Sequence, residues 1–315
     1  MKLRIGSRGS RLALWQAEHV RARLLQLRSA DQIEIVVIQT TGDRVTDVAL
    51  TQIGDKGLFT KELDHAVLEG TVDLAVHSFK DLPTRLTAGL ALSSVLERAD
   101  ARDALVVAPA MPRTLMALPA GARVGTSSLR RRAQLLACRP DLNVVDLRGN
   151  VDTRLRRIQA ADVDAALLAF AGLQRLDVAD QAAQVLDAPG WLPAPAQGAL
   201  GIVSRDDDPH TRSMVQPLDH APTRIATTAE RAFLAALEGG CQVPIGAWCV
   251  GADEITLYGL IAAVDGQRLV RGTRTGPAQR ADELGRSLAQ ELLALGGGDI
   301  LAELRASAPP APALP

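Results

Sequence analysis

The chain has 315 residues, a length that predicts two or three domains, since domains commonly hold roughly 100–200 residues. Hydrophobic residues make up 47% and charged residues 23%, which excludes a disordered, collagen-like or coiled-coil chain. With 35 Lys and Arg against 36 Asp and Glu, the net charge of −1 provides no global attraction to nucleic acid or anionic membrane, so anion binding requires local clusters.

The first hundred residues alternate between strand and helix patterns. Residues 3–5 and 33–38 are predicted to form buried strands, and apolar residues at helical spacing between them predict a helix with Ser10 as its N-cap. A helix over residues 58–69 and a strand over residues 72–76 follow. Such alternation predicts a doubly wound lobe with a parallel sheet.

A second alternating block repeats this architecture without repeating the sequence. Its predicted strands lie at residues 104–108, 124, 143–147 and 165–169, and its predicted helices begin at Ser128 and cover residues 153–160. After a proline-rich stretch, a strand is predicted over residues 199–204 and an amphipathic helix over residues 223–237.

The pattern changes in the last quarter of the chain. Strands over residues 245–250, 255–264 and 269–275, separated by turn residues, predict an antiparallel meander with a helix over residues 281–295 covering one face. We expect the Ala- and Pro-rich residues 308–315 to be disordered.

The cysteines and the apolar runs bear on the cellular compartment. Cys138, Cys241 and Cys249 are an odd number without CxxC spacing, which argues against a disulfide framework and a zinc site and predicts reduced thiols. The longest apolar run, residues 165–173, is shorter than the ~18 residues of a membrane helix. The basic first residues lack the apolar stretch of a secretory signal, so we expect a cytoplasmic protein.

Four segments follow predicted strands at the places where open sheets bind ligands and where helix N-termini attract anions. They are residues 7–10, 77–83, 125–132 and 148–154. Between residues 121 and 175, ten arginines stand against five aspartates. Because a guanidinium binds carboxylate or phosphate bidentately, this block predicts a multiply anionic ligand. We expect Arg130, Arg131 and Arg148 to bind it, and Arg156 and Arg157 to form a solvated surface.

Asp81 is the candidate acid–base group. It follows Lys80 directly and precedes Pro83, which restricts a turn at the end of a predicted strand. A carboxylate among cations stays ionised and can stabilise a developing positive charge or transfer a proton, although a turn or N-cap aspartate is the alternative. We expect His77 to be structural rather than a base.

Cys241 lies in the loop EGGCQVPIG, residues 238–246, between a predicted helix and a predicted strand. Two glycines before it and a proline after it suit a thiol that reaches out of the core to carry a group. We expect Cys138 and Cys249 to be buried and inert. No histidine lies nearby in sequence to support a thiol protease.

Six motifs occur in order along the chain: SRGSRLALWQ at residues 7–16, KGLFTKEL at 56–63, HSFKDLP at 77–83, GTSSLRR at 125–131, LRGNVDTR at 147–154 and EGGCQVPIGA at 238–247. With them the chain, from about residue 3 to residue 304, resembles the hydroxymethylbilane synthase (porphobilinogen deaminase) family of tetrapyrrole and haem biosynthesis.

The resemblance implies a transferase that carries a dipyrromethane cofactor on Cys241 through a thioether bond. Such an enzyme deaminates four porphobilinogen molecules, condenses them head to tail onto the cofactor, and releases hydroxymethylbilane by hydrolysis. Each pyrrole brings an acetate and a propionate, so the growing chain gathers carboxylates. The resemblance implies no metal, no nucleic acid and no membrane, and it implies a cytoplasmic monomer whose partner is its substrate.

Residue roles follow from the same resemblance. Asp81 matches the catalytic aspartate, which would stabilise the azafulvenium-like cation formed when ammonia leaves. Positions that match cofactor or substrate contacts are Arg8, Ser10, Ser78, Lys80, Thr126, Ser128, Arg130, Arg131, Arg148, Arg154, Arg175 and Gln197. A mobile lid is expected near residues 41–58, with Lys56 and Phe59 assigned to it.

The implied fold class is α/β, with two doubly wound lobes resembling periplasmic binding proteins and a smaller α+β domain with a three-stranded antiparallel sheet. The expected domains are residues 1–98 with 199–217, residues 103–193, and residues 218–307, followed by a tail at 308–315. The return of residues 199–217 to the first lobe comes from the resemblance alone.

Three positions depart from the common family pattern. Arg11 stands where proline is frequent, Asp55 stands where a glycine often precedes Lys56, and Ala196 replaces a glycine before Gln197. We expect altered lid mobility from Asp55 and a stiffer return crossing from Ala196.

Three alternatives remain open at this point. A two-lobed anion-binding protein without activity needs the arginines but has no use for an accessible Cys241 or a third domain. A nucleic-acid binder is disfavoured because aromatic residues are only 3% of the chain and leave few stacking platforms. An inactive family member is disfavoured because Lys80, Asp81 and Cys241 are all present.

Overall fold

The computed structural model describes residues 2–27, 32–40, 60–237 and 243–307, and the elements below are numbered within those ranges. They form two five-stranded sheets and one three-stranded sheet, with helices against each. The α/β class with two sheet-containing lobes and a small antiparallel unit is therefore confirmed. No helix in these ranges is long and apolar enough to cross a membrane.

The first sheet has the strand order β2-β1-β3-β10-β4. Its strands are β1 (Lys2–Ser7), β2 (Gln32–Val37), β3 (Leu74–Ser78), β4 (Leu90–Val95) and β10 (Leu200–Arg205). β1 is parallel to β2 and β3, whereas β10 is antiparallel to both of its neighbours. The predicted parallel arrangement holds for the strands of the first hundred residues, and β10 runs against them because it returns from the second sheet rather than crossing over through a helix of the first.

Helices α1 (Arg11–Gln26), α2 (Lys61–Leu68) and α6 (Pro209–Val215) accompany the first sheet. The Ser10 hydroxyl accepts a hydrogen bond from the Ala13 N–H, which confirms the predicted N-cap of α1. α1 buries Ala17, Val20 and Leu24 against the sheet. This packing leaves the helix N-terminus at the carboxyl end of β1.

The second sheet has the order β7-β6-β8-β5-β9, which repeats the topology of the first. Its strands are β5 (Asp103–Val107), β6 (Arg123–Gly125), β7 (Asn143–Val145), β8 (Ala165–Ala169) and β9 (Gln184–Leu186). Here β5 is the strand antiparallel to its neighbours β8 and β9. β4 and β9 have no counterpart among the predicted elements.

Helices α3 (Leu129–Cys138), α4 (Val151–Gln159) and α5 (Phe170–Arg175) belong to the second sheet. The Ser128 hydroxyl accepts from the Arg131 N–H and the Asn150 side chain accepts from the Thr153 N–H. These caps begin α3 and α4 directly after β6 and after the turn that follows β7. Both arginine-bearing segments therefore lie at helix N-termini.

The third unit contains β11 (Ile245–Gly251), β12 (Glu254–Ala262) and β13 (Leu269–Pro277) in an antiparallel meander, as predicted. Helices α7 (Ala221–Ala236) and α8 (Ala281–Leu292) pack over it around Phe233. Gly285 allows their close approach, because a Cβ there would lie 2.3 Å from the Ala229 carbonyl oxygen. The chain turns at Gly296, with φ of 102°, and continues into α9 (Gly298–Ser307).

Among the residues that the structure describes, two ion pairs join these units. Arg98 Nη1 donates to Glu230 Oε1 at 2.7 Å, and Glu230 is fully buried on α7, where it also accepts from the Ala196 and Cys249 N–H groups. Arg11 Nη1 lies 2.9 Å from Asp152 Oδ1, linking α1 to α4. The arginine that departs from the common family pattern therefore contacts the second lobe.

Candidate active site

A pocket of about 80 Å³ opens at the carboxyl ends of β1 and β3. The two strands are parallel neighbours, so their carboxyl ends lie at one edge of the sheet. Lining residues are Arg8, Ser10, Leu12, Ala13, Gln16, Thr60, Val76, His77, Ser78 and Asp81. The structure thus brings together the predicted site residues Arg8, Ser10, Ser78 and Asp81.

The turn that carries Lys80 and Asp81 is a short 3-10 helix, Phe79–Asp81. The Phe79 N–H donates to the Ala199 carbonyl at 3.0 Å, just before β10, and the Phe79 ring is buried in the core of the first lobe. His77 is also buried, and burial lowers its pKa to about 4, so it is neutral at pH 7.

Lys80 points toward the crossing between the lobes. Its Nζ donates to Gln197 Oε1 at 3.1 Å. Burial lowers the pKa of Lys80 to about 8, while Asp81 and Asp103 favour the charged form and Arg131 and Arg130 disfavour it. This ammonium consequently lies within reach of charges from both lobes.

A buried carboxylate, Asp103, lies at the centre of the predicted cationic cluster. Arg130 Nη1 donates to its Oδ2 at 2.7 Å and Arg131 Nη2 donates to its Oδ1 at 2.7 Å. Burial opposes the charged form of Asp103, but the two guanidinium groups outweigh it and hold the pKa of this carboxyl well below its usual range. Arg130 and Arg131 are buried by this pairing.

Sequence reasoning missed Asp103. The available signal was a lone aspartate at the start of an apolar strand, Asp103-Ala-Leu-Val-Val, because a charge inside such a run needs buried partners. Nothing local in the sequence indicated that those partners were Arg130 and Arg131, some 27 residues away.

Further predicted cations and hydroxyls surround this cluster. Burial lowers the pKa of Arg154 to about 10, and the charges of Arg131, Arg148 and Asp81 also act on it, so these groups share one region. Thr126 Oγ1 accepts from the Ser128 N–H at the start of α3. The buried Nε atoms of Arg130 and Arg154 have no hydrogen-bond partner within the described residues. Such unsatisfied donors fit a ligand rich in carboxylates.

Two more predicted contact residues, Arg175 and Gln197, do not line the pocket. Arg175 is not among the pocket-lining residues, because its Nη2 donates to the Gly198 carbonyl at 2.6 Å and its guanidinium lies 5.8 Å from the Trp15 ring centroid. Burial lowers its pKa to about 10. Gln197 is buried between the lobes, where Nε2 donates to the Ala101 carbonyl at 2.7 Å.

Of the two thiols that we expected to be buried, the structure places one in the core and one at the surface. Cys249 is buried, and burial raises its pKa to about 12, as expected for an inert thiol. The expectation that Cys138 is buried is wrong, since it is exposed at the last residue of α3. Cys241 lies outside the described residues, as do the lid segment at 41–58, Asp55, Lys56 and Phe59.

Family profiles match almost the whole chain. The profile "Porphobilinogen deaminase, dipyromethane cofactor binding domain" matches residues 3–213, and "Porphobilinogen deaminase, C-terminal domain" matches residues 224–294. A protein named porphobilinogen deaminase from Syntrophotalea carbinolica is 49% identical over 303 residues, covering 96% of each chain. One of the same name from Carboxydothermus hydrogenoformans is 46% identical over 305 residues, covering 96% of this chain and 97% of its own.

Solved structures give weaker likenesses. A TRAP periplasmic solute binding protein from Desulfovibrio salexigens shares 12% identity at a TM-score of 0.41, covering 70% of this chain and 72% of its own. The periplasmic VFT2 domain of BvgS from Bordetella pertussis shares 16% identity at a TM-score of 0.39, covering 69% and 85%.

Proposed function

The chain belongs to the porphobilinogen deaminase family, and we propose that it works through Asp81 as the catalytic carboxylate and Cys241 as the point of cofactor attachment. Its activity is that of this family, the deamination and condensation of porphobilinogen into hydroxymethylbilane in tetrapyrrole biosynthesis. The cofactor of the family is dipyrromethane. When bound it would supply the pyrrole carbon to which the first substrate unit is joined, and each later unit would join the terminal pyrrole of the growing chain.

The observation that carries the residue assignment is the shared pocket of Arg8, Ser10, Ser78 and Asp81 beside the arginine cluster of the second lobe. Loss of ammonia leaves positive charge on the substrate methylene carbon. A fixed carboxylate lowers the energy of that charge most where water is excluded. Asp81 supplies the carboxylate at the pocket wall.

The second requirement is a site for many carboxylates. Arg154 and Lys80 interact electrostatically with Asp81, Arg148 interacts with Arg154, and the buried Nε atoms of Arg130 and Arg154 have no hydrogen-bond partner within the described residues. Guanidinium groups bind carboxylates in fixed bidentate geometry, so they hold the acetate and propionate groups and orient the pyrroles toward Asp81. Ser10 and Ser128 also cap the helices that begin beside this region.

The attachment at Cys241 is tested by the intact mass of the purified protein. We expect an added mass of two linked pyrrole units on the wild-type chain and its absence from Cys241→Ala. Cys249→Ala and Cys138→Ala are matched controls, one with a buried thiol and one with an exposed thiol, and both should keep the added mass. Loss of that mass in either control, or its retention in Cys241→Ala, would overturn the assignment.

We propose the domain division 1–98 with 199–217, 103–193 and 218–307, which the pairing of β10 with β3 and β4 supports. We also propose a cytoplasmic monomer. Sedimentation of the purified enzyme tests the oligomeric state, and a dimer mass would contradict it.

A further inference from the structure

We infer that Asp103 is a positioning residue of the deaminase reaction, acting on Lys80 through the side-chain amide of Gln197. This inference rests on the proposed function, since it assigns Lys80 to substrate or cofactor carboxylates. None of the six motifs that carry the family resemblance contains Asp103.

The Asp103 carboxylate accepts hydrogen bonds on both of its oxygens. Oδ2 accepts from Arg130 and from Trp191 Nε1, the latter at 2.9 Å, while Oδ1 accepts from Arg131 and from Gln197 Nε2 at 2.8 Å. The carboxylate is fully buried. A buried anion with charged donors on both oxygens has little freedom to turn, because each rotation would leave a buried donor unsatisfied.

The hydrogen bonds of Gln197 fix the orientation of its side-chain amide. Its Nε2 donates to both Asp103 Oδ1 and the Ala101 carbonyl. A flipped amide would place its oxygen against two acceptors, so Asp103 determines which way the amide points. The amide oxygen therefore faces the other side, where it accepts from Lys80 Nζ at 3.1 Å.

The amide oxygen of Gln197 in turn holds the Lys80 ammonium in position. Four charged groups act on it: Asp81 of the first lobe, and Asp103, Arg130 and Arg131 of the second. Within the described residues the ammonium donates one hydrogen bond, to Gln197, and because an ammonium has three donors it can also donate to ligand carboxylates. Without the fixed amide, a flexible four-carbon side chain would sample several rotamers.

The network also spans the two lobes. Asp103 begins β5 in the second sheet, Lys80 follows β3 in the first, and Gln197 lies on the crossing between them. The Lys80 ammonium of the first lobe is thus positioned by a carboxylate of the second. Asp103 also holds Arg130 and Arg131, so one carboxylate orders two cations of the second lobe and, through Gln197, one cation of the first.

The test uses the cofactor-loaded enzyme and the pH profile of kcat/KM for porphobilinogen. In the wild type we expect an alkaline limb where the Lys80 ammonium loses its proton; burial lowers that pKa to about 8 in the chain itself, and the carboxylates of bound cofactor raise it from there. Asp103→Asn removes a negative charge that favours the ammonium and should move the limb to lower pH by about half a unit or more. Gln197→Met leaves that charge but removes the acceptor, so it should move the limb in the same direction and lower kcat/KM by about tenfold or more.

Trp191→Phe is the matched control. It removes another hydrogen bond from the same carboxylate without touching Gln197 or Lys80. We expect it to lower the unfolding temperature and leave the alkaline limb in place. If Asp103→Asn does not fold, the shift of the alkaline limb in Gln197→Met tests the inference by itself.

Two results would overturn the inference: an unmoved limb in Gln197→Met, or an equal shift in Trp191→Phe. Both are distinct from failure of the proposed function, in which the wild-type enzyme itself would lack the cofactor mass and leave porphobilinogen unconsumed.

Discussion

The guanidinium carbon of Arg231 lies 4.5 Å from the centroid of the Phe79 ring, so a residue of α7 covers the turn that carries Lys80 and Asp81. Its Nη1 donates to the Leu82 carbonyl at 3.0 Å and its Nη2 to the Pro83 carbonyl at 2.6 Å. Since α7 ends at Ala236, shortly before Cys241 in the sequence, one arginine joins the turn of Asp81 to the helix that precedes the predicted attachment residue.

Arg231→Gln should reduce kcat by about tenfold or more, because the turn then loses two charge-assisted hydrogen bonds and the stacked cation. The cofactor mass should stay on the protein, since the substitution leaves Cys241 in place. Steady-state kinetics and intact mass measure the two effects. Arg274→Gln, which removes an exposed ion pair with Glu291, is the control and should keep wild-type turnover. Wild-type kcat in Arg231→Gln would contradict the role of this contact.

Asp81→Asn should lower kcat by about a hundredfold or more while the protein keeps its fold. The amide has nearly the same shape as the carboxylate but carries no charge to stabilise the cation that remains after ammonia leaves. Single-turnover measurements of ammonia release would show the loss at the chemical step. Asp282→Asn, at an exposed position of α8, serves as the control. An Asp81→Asn enzyme within a fewfold of wild type would exclude Asp81 as the catalytic carboxylate.

His77 makes stability depend on pH. Its pKa in the folded protein is about 4, below the ordinary value of 6.5, so the unfolded chain takes up the proton first as the pH falls. Folding stability should therefore be fully present above pH 6.5 and decline between pH 6.5 and pH 4, by up to about 3 kcal/mol from this residue.

Urea unfolding at pH 7.5 and pH 5 measures that decline. His77→Gln has no proton to gain and should lose less stability between the two pH values. His65→Gln removes a histidine whose side chain is 68% exposed and should leave the decline unchanged. Parallel declines in the wild type and His77→Gln would show that this imidazole does not contribute.

Ala196 has φ of 62°, the left-handed region that glycine adopts at lower cost. This is the position where the family pattern has glycine. Ala196→Gly should raise the free energy of unfolding by up to about 1 kcal/mol, because it relieves the contact of Cβ with the backbone. Ala199→Gly, at a buried position on the same crossing without positive φ, should lower it. Equal destabilisation by both substitutions would refute the strain.

Local sequence determined the elements around the site. Ser10 and Ser128 were predicted as helix starts because an N-cap bonds to an N–H three residues away, and the strand over residues 165–169 was predicted with its observed limits because its apolar run lies within a few positions. The motif HSFKDLP likewise indicated the turn with Asp81 in its place after β3. Each of these features depends on neighbours along the chain.

Tertiary structure alone decided the rest. β10 pairs between β3 and β4 although more than a hundred residues separate it from either strand, and Gln197 meets Asp103 from 94 residues away. The burial of Arg130 and Arg131 against that carboxylate, and the place of Arg175 beside Trp15, follow from such distant contacts. Periodicity and capping report interactions over one or two turns, whereas the partner of a buried charge is chosen by how the lobes pack.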